Sequence, residues 1–296
     1  MFKCGFVSII GLPNTGKSSL TNAIIGEKVS IVSPKPQTTR NNIVGILSGE
    51  DYQIVFVDTP GLNSINSSLD KFMQKSAMGA SEDVNLVLMT IDITKSITSK
   101  ERELLSTLQR DGTPFLVVLT KCDLVPTDKI AGKILEIAKD YNCEVVPTSA
   151  LKHKNLDELV SLIKKYLPQT QTKYYDDDTY TDRPLNFLVA EIVREKALFL
   201  LNNEVPHGIA VITQNFEEDE NLCQIDVDII CEKMSHKAII IGQNGSMLKK
   251  IGHNARVTIQ KIVQKKVVLN IFVKVKPNWQ NSMEILTSLG YDIKDL

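Results

Sequence analysis

The sequence is short of the features that mark a stapled, secreted or membrane-spanning protein. Only 5 of its 296 residues are cysteine: Cys4, Cys122, Cys143, Cys223 and Cys231. They are scattered, odd in number and never spaced C-x-x-C. That argues against a disulfide framework or a zinc site and fits a reducing cytosol. No run approaches the roughly 18 apolar residues that a spanning helix needs, so no integral membrane segment is expected. The apolar N-terminal stretch has no cleavage pattern behind it, which argues against a secretory leader. Aromatic residues make up 6%, with a single tryptophan, Trp279. The formal net charge is only -1, so any attraction to a polyanion must come from a local patch.

What remains is ordinary globular composition, with 43% hydrophobic and 23% charged residues. Up to about Pro168 the pattern alternates. Strands are expected at Cys4–Ile10, Ile43–Ser48, Gln53–Asp58, Asn85–Asp92, Phe115–Thr120 and Glu144–Thr148. Helices are expected at Lys17–Ile25, Leu69–Ser81, Ser99–Arg110, Asp128–Tyr141 and Asn155–Leu167. Near-continuous apolar strands alternating with helices imply an α/β fold, a doubly wound and mostly parallel sheet covered on both faces. Ile43–Ser48 and Gln53–Asp58 lie close enough in sequence to form an antiparallel hairpin at one edge.

Residues 169–184 are polar, carry an acidic triplet and lack an apolar period. They read as a linker between a domain over 1–168 and a smaller one over 185–296. The tyrosines in the linker could instead pack on a domain surface. In the second domain a helix is expected at Leu185–Leu201, strands at Gly208–Phe216 and Cys223–Cys231, and a short strand at Ala238–Ile241. A helix at Ser246–Val263, a strand at Lys266–Lys276 and a last helix from Asn278 to Leu289 complete it.

Chemistry enters at the strand ends. Gly11-Leu-Pro-Asn-Thr-Gly-Lys17-Ser18 matches G-x-x-x-x-G-K-[ST] between an expected strand and an expected helix. Such a loop turns its amides into one concavity, and the following helix adds its positive end, so phosphates are gripped by both. Lys17 should bridge the β- and γ-phosphates, and Ser18 should place its hydroxyl on Mg²⁺. Asp58-Thr59-Pro60-Gly61 ends the next apolar strand, where Asp58 can hold Mg²⁺ through water and the Gly61 amide can touch the γ-phosphate. Thr120-Lys121-Cys122-Asp123 ends another. A carboxylate at Asp123 can accept two hydrogen bonds from guanine, whereas adenine offers neither and would leave it unpaired. Lys121 can pack its stem across the base. At Thr148-Ser149-Ala150 a backbone amide can meet the guanine carbonyl. The nucleotide set is then Gly11, Pro13, Asn14, Thr15, Gly16, Lys17, Ser18 and Ser19, followed by Asp58, Thr59, Pro60, Gly61 and Leu62. Thr120, Lys121, Asp123, Ser149 and Ala150 complete it around the base.

These four motifs in this order resemble a translation-factor-class P-loop GTPase. Ser33-Pro-Lys-Pro-Gln-Thr-Thr-Arg40 closely resembles the first switch of the Era family of bacterial ribosome-assembly GTPases. Two hydroxyls there, Thr38 and Thr39, could reach Mg²⁺ and order the loop only with GTP bound. The resemblance favours Thr39. The metal set is then Ser18, Thr39 and Asp58, and the catalytic set Lys17, Thr39 and Gly61. Leu62 stands where small GTPases of another branch place a water-orienting Gln, so slow intrinsic hydrolysis is expected and no side-chain base is named. Thr120 departs from the Asn usual in the family. Its hydroxyl is expected to offer less reach to the phosphate loop and to cost about 1 kcal/mol of guanine affinity.

The second domain segregates charge. Glu217–Glu232 holds seven acids and no Lys or Arg, while Lys233–Lys276 holds ten Lys or Arg and no acid. The basic stretch can neutralise phosphates. Within it, Gly242-Gln243-Asn244-Gly245 is G-x-x-G, read as lying between a β-rich run and a helix. In a KH domain such a loop clamps about four nucleotides of single-stranded RNA. Lys249, Lys250 and Arg256 follow on the helix. The order of elements resembles the bacterial, type II KH domain, an α+β unit. Era relatives often carry Lys at the variable loop positions, where this chain has Gln243 and Asn244.

By that resemblance the expected ligands are GTP or GDP, Mg²⁺ and the 3′ end of small-subunit (16S) rRNA, in assembly and maturation of the 30S subunit. The resemblance also implies a cytoplasmic monomer with peripheral association at the inner face of the cell membrane. Two other readings stay open on residues alone. One is an RNA-binding scaffold that holds nucleotide without turnover. The other is a different ribosome or tRNA GTPase whose C-terminal unit binds protein.

Overall fold

In a computed structural model the chain is described over residues 1–35, 37–61, 69, 73, 84–202 and 205–289. It divides into two compact units. The first takes in Met1–Val32, Thr39 onward through the strand ending at Asp58, and the chain up to Asp182. The second gathers Ser33–Thr38 with the chain from Arg183.

The first unit is a six-stranded sheet. Its strands are β1 (Lys3–Gly11), β2 (Ile43–Ser48), β3 (Tyr52–Asp58), β4 (Leu86–Asp92), β5 (Phe115–Thr120) and β6 (Glu144–Pro147), in the order β2-β3-β1-β4-β5-β6. Only β2 runs antiparallel, hairpinned to β3 as expected. β4 and β5 are buried at every residue, which is why they read as unbroken apolar runs. Helices α1 (Lys17–Ile25), α2 (Ser99–Asp111), α3 (Thr127–Asp140) and α4 (Leu156–Tyr166) accompany them. One apolar cluster gathers Leu20 and Leu159 with Ile9, Phe56 and Leu88, and another gathers Leu105 and Ile137 with Met89 and Val117. Each fully buried Leu contributes about 2 kcal/mol. Thr98 and Glu101 form a capping box that fixes where α2 starts. The helix expected at Leu69–Ser81 lies outside the described residues except for Leu69 and Met73, both buried.

The segment read as a linker is fastened along the first unit up to Asp182. Gln53, fully buried, accepts from the Tyr174 and Tyr175 amides at 2.9 and 3.0 Å and donates to the Tyr175 carbonyl at 2.8 Å. Tyr174 packs against Phe6 with its ring tilted by 47°, and the Tyr180 carbonyl accepts from the Ile46 amide at the free edge of β2. That contact covers an edge strand whose backbone would otherwise be open to pairing.

In the second unit, β7 (Ile209–Glu218) pairs antiparallel with β8 (Leu222–Cys231), and β8 pairs parallel with β9 (Lys266–Val275). Helices α5 (Leu185–Leu200), α6 (Met234–Ile241), α7 (Ser246–Val263) and α8 (Met283–Ser288) complete it. Cys223, Ile225, Val227 and Ile229 of β8 alternate into the core against Val193, Ile251 and Ile259. Trp279 is a core residue whose Nε1 donates to the Gly208 carbonyl at 3.0 Å.

Two expectations fail here. The segment Ala238–Ile241 is not a strand but the end of α6, closed by a bond from the Gly242 amide to the Ala238 carbonyl. Three successive isoleucines favour a strand locally, but β8 already has a partner on each side. A helix instead buries Ile240 and leaves Ile239 half exposed. The last helix is also broken. A one-turn helix at Trp279–Asn281 is separated from α8 by Ser282, whose backbone is extended. Among the described residues no helix is long and apolar enough to cross a membrane.

Candidate functional site

β1 ends at Gly11 and α1 begins at Lys17, with the phosphate-type loop between. Gly16 takes φ +94°, a left-handed conformation that glycine adopts without steric cost. α1 has no side-chain cap and no acid in its first turn, so its leading amides are left for an anion. Lys17 is 6% exposed and donates to the carbonyls of Gly11 and Leu12 at 3.0 and 3.1 Å. Burial lowers its pKa to about 8, partly offset by the charge of Asp58. The ammonium is thus parked on two weak acceptors that phosphate oxygens can replace.

Beside it lies an all-oxygen group. Ser18 Oγ is 2.8 Å from Thr39 Oγ1. The neighbouring Thr38 hydroxyl is turned to Lys35 and Ser33 instead. Asp58 is fully buried, and neither carboxylate oxygen makes a hydrogen bond. Burial raises its pKa, eased by the nearby Ser18 hydroxyl, the Lys17 charge and Ser30. An orphaned, buried carboxylate is costly to keep. A hard divalent cation with oxygen ligands relieves it, so these residues fit Mg²⁺. Thr59 donates to the Ile9 carbonyl at 2.8 Å, which ties this strand end to β1. Gly61 lies so near the loop that a Cβ there would stand 3.0 Å from Pro13 Cα. Pro60 lies between them in sequence, and Leu62 falls outside the described residues.

The base side is a cavity of about 210 Å³ lined by Gly16, Ser19, Thr120, Lys121, Asp123, Thr148, Ser149 and Ala150 among others. Lys121 Nζ donates to the Asn14 carbonyl at 2.9 Å and pairs with Asp92 at 2.6 Å. Burial pushes the Asp92 carboxyl up, but Lys121 and Thr94 together bring it below the usual range. The Cys122 amide bonds the Thr148 carbonyl at 3.0 Å, joining the ends of β5 and β6 around the cavity. Thr120 differs from expectation. Its hydroxyl does reach the phosphate loop, donating to the Thr15 carbonyl at 2.6 Å.

In the second unit the G-x-x-G turn sits between two helices, α6 and α7, not between a strand and a helix. Gly242 takes φ +73°, and a Cβ there would come within 2.8 Å of the Met247 nitrogen, so only glycine fits. A Cβ on Gly245 would meet nothing within 4 Å, which leaves its outer side open to a ligand. α7 starts without a side-chain cap or a first-turn acid. Gln243, Asn244, Lys249, Lys250, His253 and Arg256 are exposed, and positions 249, 253 and 256 share one flank of α7. Acids of β7 and β8 neutralise other bases: Lys265 pairs with Glu218 and Lys274 with Asp228, both at 2.6 Å. Among the described residues no carboxylate pairs with Lys249, Lys250 or Arg256.

Comparison with known proteins agrees with both halves. Residues 6–121 match a family model described as 50S ribosome-binding GTPase, and residues 204–280 match KH domain. The chain is 49% identical to GTPase Era of Clostridium botulinum over 296 residues, spanning 99% of this chain and all of that one. It is 45% identical to GTPase Era of Caldanaerobacter subterraneus, spanning 99% of each. The chain belongs to the Era family of GTPases. Its fold is similar to a crystal structure of Aquifex aeolicus Era bound to GDP·AlF4⁻. The TM-score is 0.94 and the identity 38%, over 99% of this chain and all of that one. The same values hold for a crystal structure of Era in complex with MgGDPNP and nucleotides 1506–1542 of 16S ribosomal RNA.

Sequence reasoning missed three residues that the structure places here: Asp92 under Lys121, Thr90 beside Thr15, and His253, exposed between Lys249 and Arg256 on one flank of α7. Thr90 and Asp92 carried a signal, since both interrupt an otherwise apolar strand near its end. Glu191 and Arg194 form a two-bond ion pair at 2.7 Å, and Arg194 also donates to the Thr38 carbonyl.

Proposed function

We propose that this chain binds and hydrolyses GTP with Mg²⁺ and uses its second unit to bind the 3′ end of small-subunit rRNA during 30S assembly and maturation. The observation that carries the nucleotide half is the buried Asp58 carboxylate, unpaired on both oxygens beside the Ser18–Thr39 hydroxyl pair. Mg²⁺ bound by these three would neutralise charge developing on the β- and γ-phosphates. Lys17 leaves its two loop carbonyls for phosphate oxygens. The amides that open α1 and that of Gly61 add donors around the same group. Asp123 accepts from guanine and leaves adenine unmatched. Thr39 and Gly61 lose their reason to stay ordered once the γ-phosphate departs, and that makes the site a switch. Position 62 is Leu, which cannot orient water, so turnover is slow without a partner.

The RNA half rests on the open Gly245 side, the unpaired Lys249, Lys250 and Arg256, and the family's KH architecture. Residues 1–168 form the nucleotide domain, 169–184 its connecting strap and 185–296 the RNA domain. The protein acts as a cytoplasmic monomer with peripheral contact at the inner face of the cell membrane. Calorimetry with Mg²⁺ should show GDP and GTP binding and no competition from ATP. Phosphate release should rise when an RNA of the 16S 3′-terminal sequence is added. Equal binding of ATP would remove the guanine reading, and crosslinks lying outside Ser235–Lys266 would remove the RNA reading.

A further inference from the structure

A phosphate loop works by turning its amides inward, and its carbonyls must then find partners on the outer side. Here three threonine hydroxyls supply much of that. Thr120 Oγ1, at the end of β5, donates to the Thr15 carbonyl at 2.6 Å and lies 3.2 Å from the Ile91 carbonyl. Thr15 Oγ1 is 2.7 Å from Thr90 Oγ1 on β4 and 2.9 Å from the Leu12 carbonyl. Thr90 Oγ1 is 3.0 Å from the Ile10 carbonyl. Whichever of Thr15 and Thr90 donates to the other, the remaining proton goes to a carbonyl of β1 or its loop. All three side chains are nearly excluded from solvent, at 0 to 5% exposure, so water cannot replace these bonds. The contacts join segments that are 75 and 105 residues apart.

We propose that Thr90 and Thr120 are positioning residues that hold the phosphate loop in its binding shape before nucleotide arrives. In this chain the brace is made by hydroxyls, one on the Thr15 carbonyl and one on the Thr15 side chain. The hydroxyl of Thr120 ties the base-binding strand to the loop, and that of Thr90 fixes the loop's opposite flank. Thr90 does not line the base cavity, so any effect it has on the nucleotide must pass through the loop. Without the brace the loop would have to order itself at the moment of binding, which weakens retention.

The inference rests on the guanine-nucleotide reading, and the two can fail separately. Full-length protein that binds no GDP removes that reading. Wild-type binding with unaffected threonine variants removes this one. The experiment measures release of fluorescent GDP from the wild type, Thr90→Val, Thr120→Val, the double variant and Thr120→Ser, with melting recorded on the same samples. Valine keeps the shape and removes the hydroxyl. Each Val variant should release GDP about 10-fold faster, the scale of one lost buried hydrogen bond. The double variant should fall short of the product of the two, because both act on one loop. Thr120→Ser, which keeps the hydroxyl, should restore release to within about twofold of wild type. Release unchanged in both Val variants overturns the proposal, and so does a Ser variant as fast as Thr120→Val. If the Val variants fail to fold, the Ser variant and Thr120→Asn still decide. Both should retain GDP, and loss of retention in a folded Ser variant refutes the brace.

Discussion

The ammonium of Lys121 stands 2.6 Å from the carboxylate of Asp92, whose side chain is 4% exposed, while its stem borders the base cavity. A lysine in the base motif is thereby fixed by a strand 29 residues earlier. Asp92→Asn should leave the amide within reach but remove the charge that holds the stem down. We expect GDP affinity to fall about tenfold, within the range for a charged hydrogen bond, with release accelerated more than association slowed. Stopped-flow binding and displacement would measure both.

Lys17 sets a pH dependence whose sign is fixed by its lowered pKa of about 8. Free in the unfolded chain, a lysine titrates near 10.4. Below pH 8 both states carry the proton. Between about 8 and 10.4 only the folded state has released it, so nucleotide-free stability rises with pH through that window. Phosphates favour the charged form, so GDP binding should take up a proton there and weaken as pH climbs above about 8. Calorimetry in buffers of different ionisation enthalpy would report the uptake. No uptake at pH 9 would contradict the buried, neutralisable lysine.

Asp58 gives opposite signs for stability and function. Asp58→Asn removes a buried carboxylate on which burial outweighs the Lys17 charge beside it, so the nucleotide-free protein should become more stable by about 1–3 kcal/mol. The same change removes the carboxylate that fits Mg²⁺. Dependence of GTP retention on magnesium should largely vanish. Chemical denaturation and nucleotide release with and without chelator test the two arms.

The two glycines of the G-x-x-G turn should separate packing from binding. Gly242→Ala places a Cβ against the Met247 backbone and should cost about 2 kcal/mol or more. Gly245→Ala meets open space and carries only its left-handed strain, about 1 kcal/mol. RNA affinity should nevertheless fall in Gly245→Ala, because the added methyl stands where the ribose-phosphate chain must approach. Lys249→Ala and Arg256→Ala should each lower the salt dependence of RNA binding by close to one counterion. Equal salt slopes in wild type and both variants would exclude these two side chains from phosphate contact.

Much of the fold could be read in advance because its signals are local. β4 and β5 are apolar throughout since both faces are covered, and the motif residues sit at strand ends where periodicity stops. The strand expected at Ala238–Ile241 misled for the same reason: three isoleucines speak for themselves but not for β8, whose two sides were already taken. The polar segment before Asp182 looked free because the side chain that fastens it, Gln53, lies more than 120 residues earlier.

The sequence by itself determined where the motifs for phosphate, metal and guanine lie along the chain, because each depends on residue type at short, fixed spacing. Only the tertiary structure decided how those pieces are braced. Thr120 on Thr15, Thr90 on Thr15 and Asp92 on Lys121 join strand ends to loops from other parts of the sheet, and chain distance does not encode which hydroxyl meets which carbonyl. A buried hydrogen bond is a matter of ångströms and angles, and those exist only once the sheet has set its order and register.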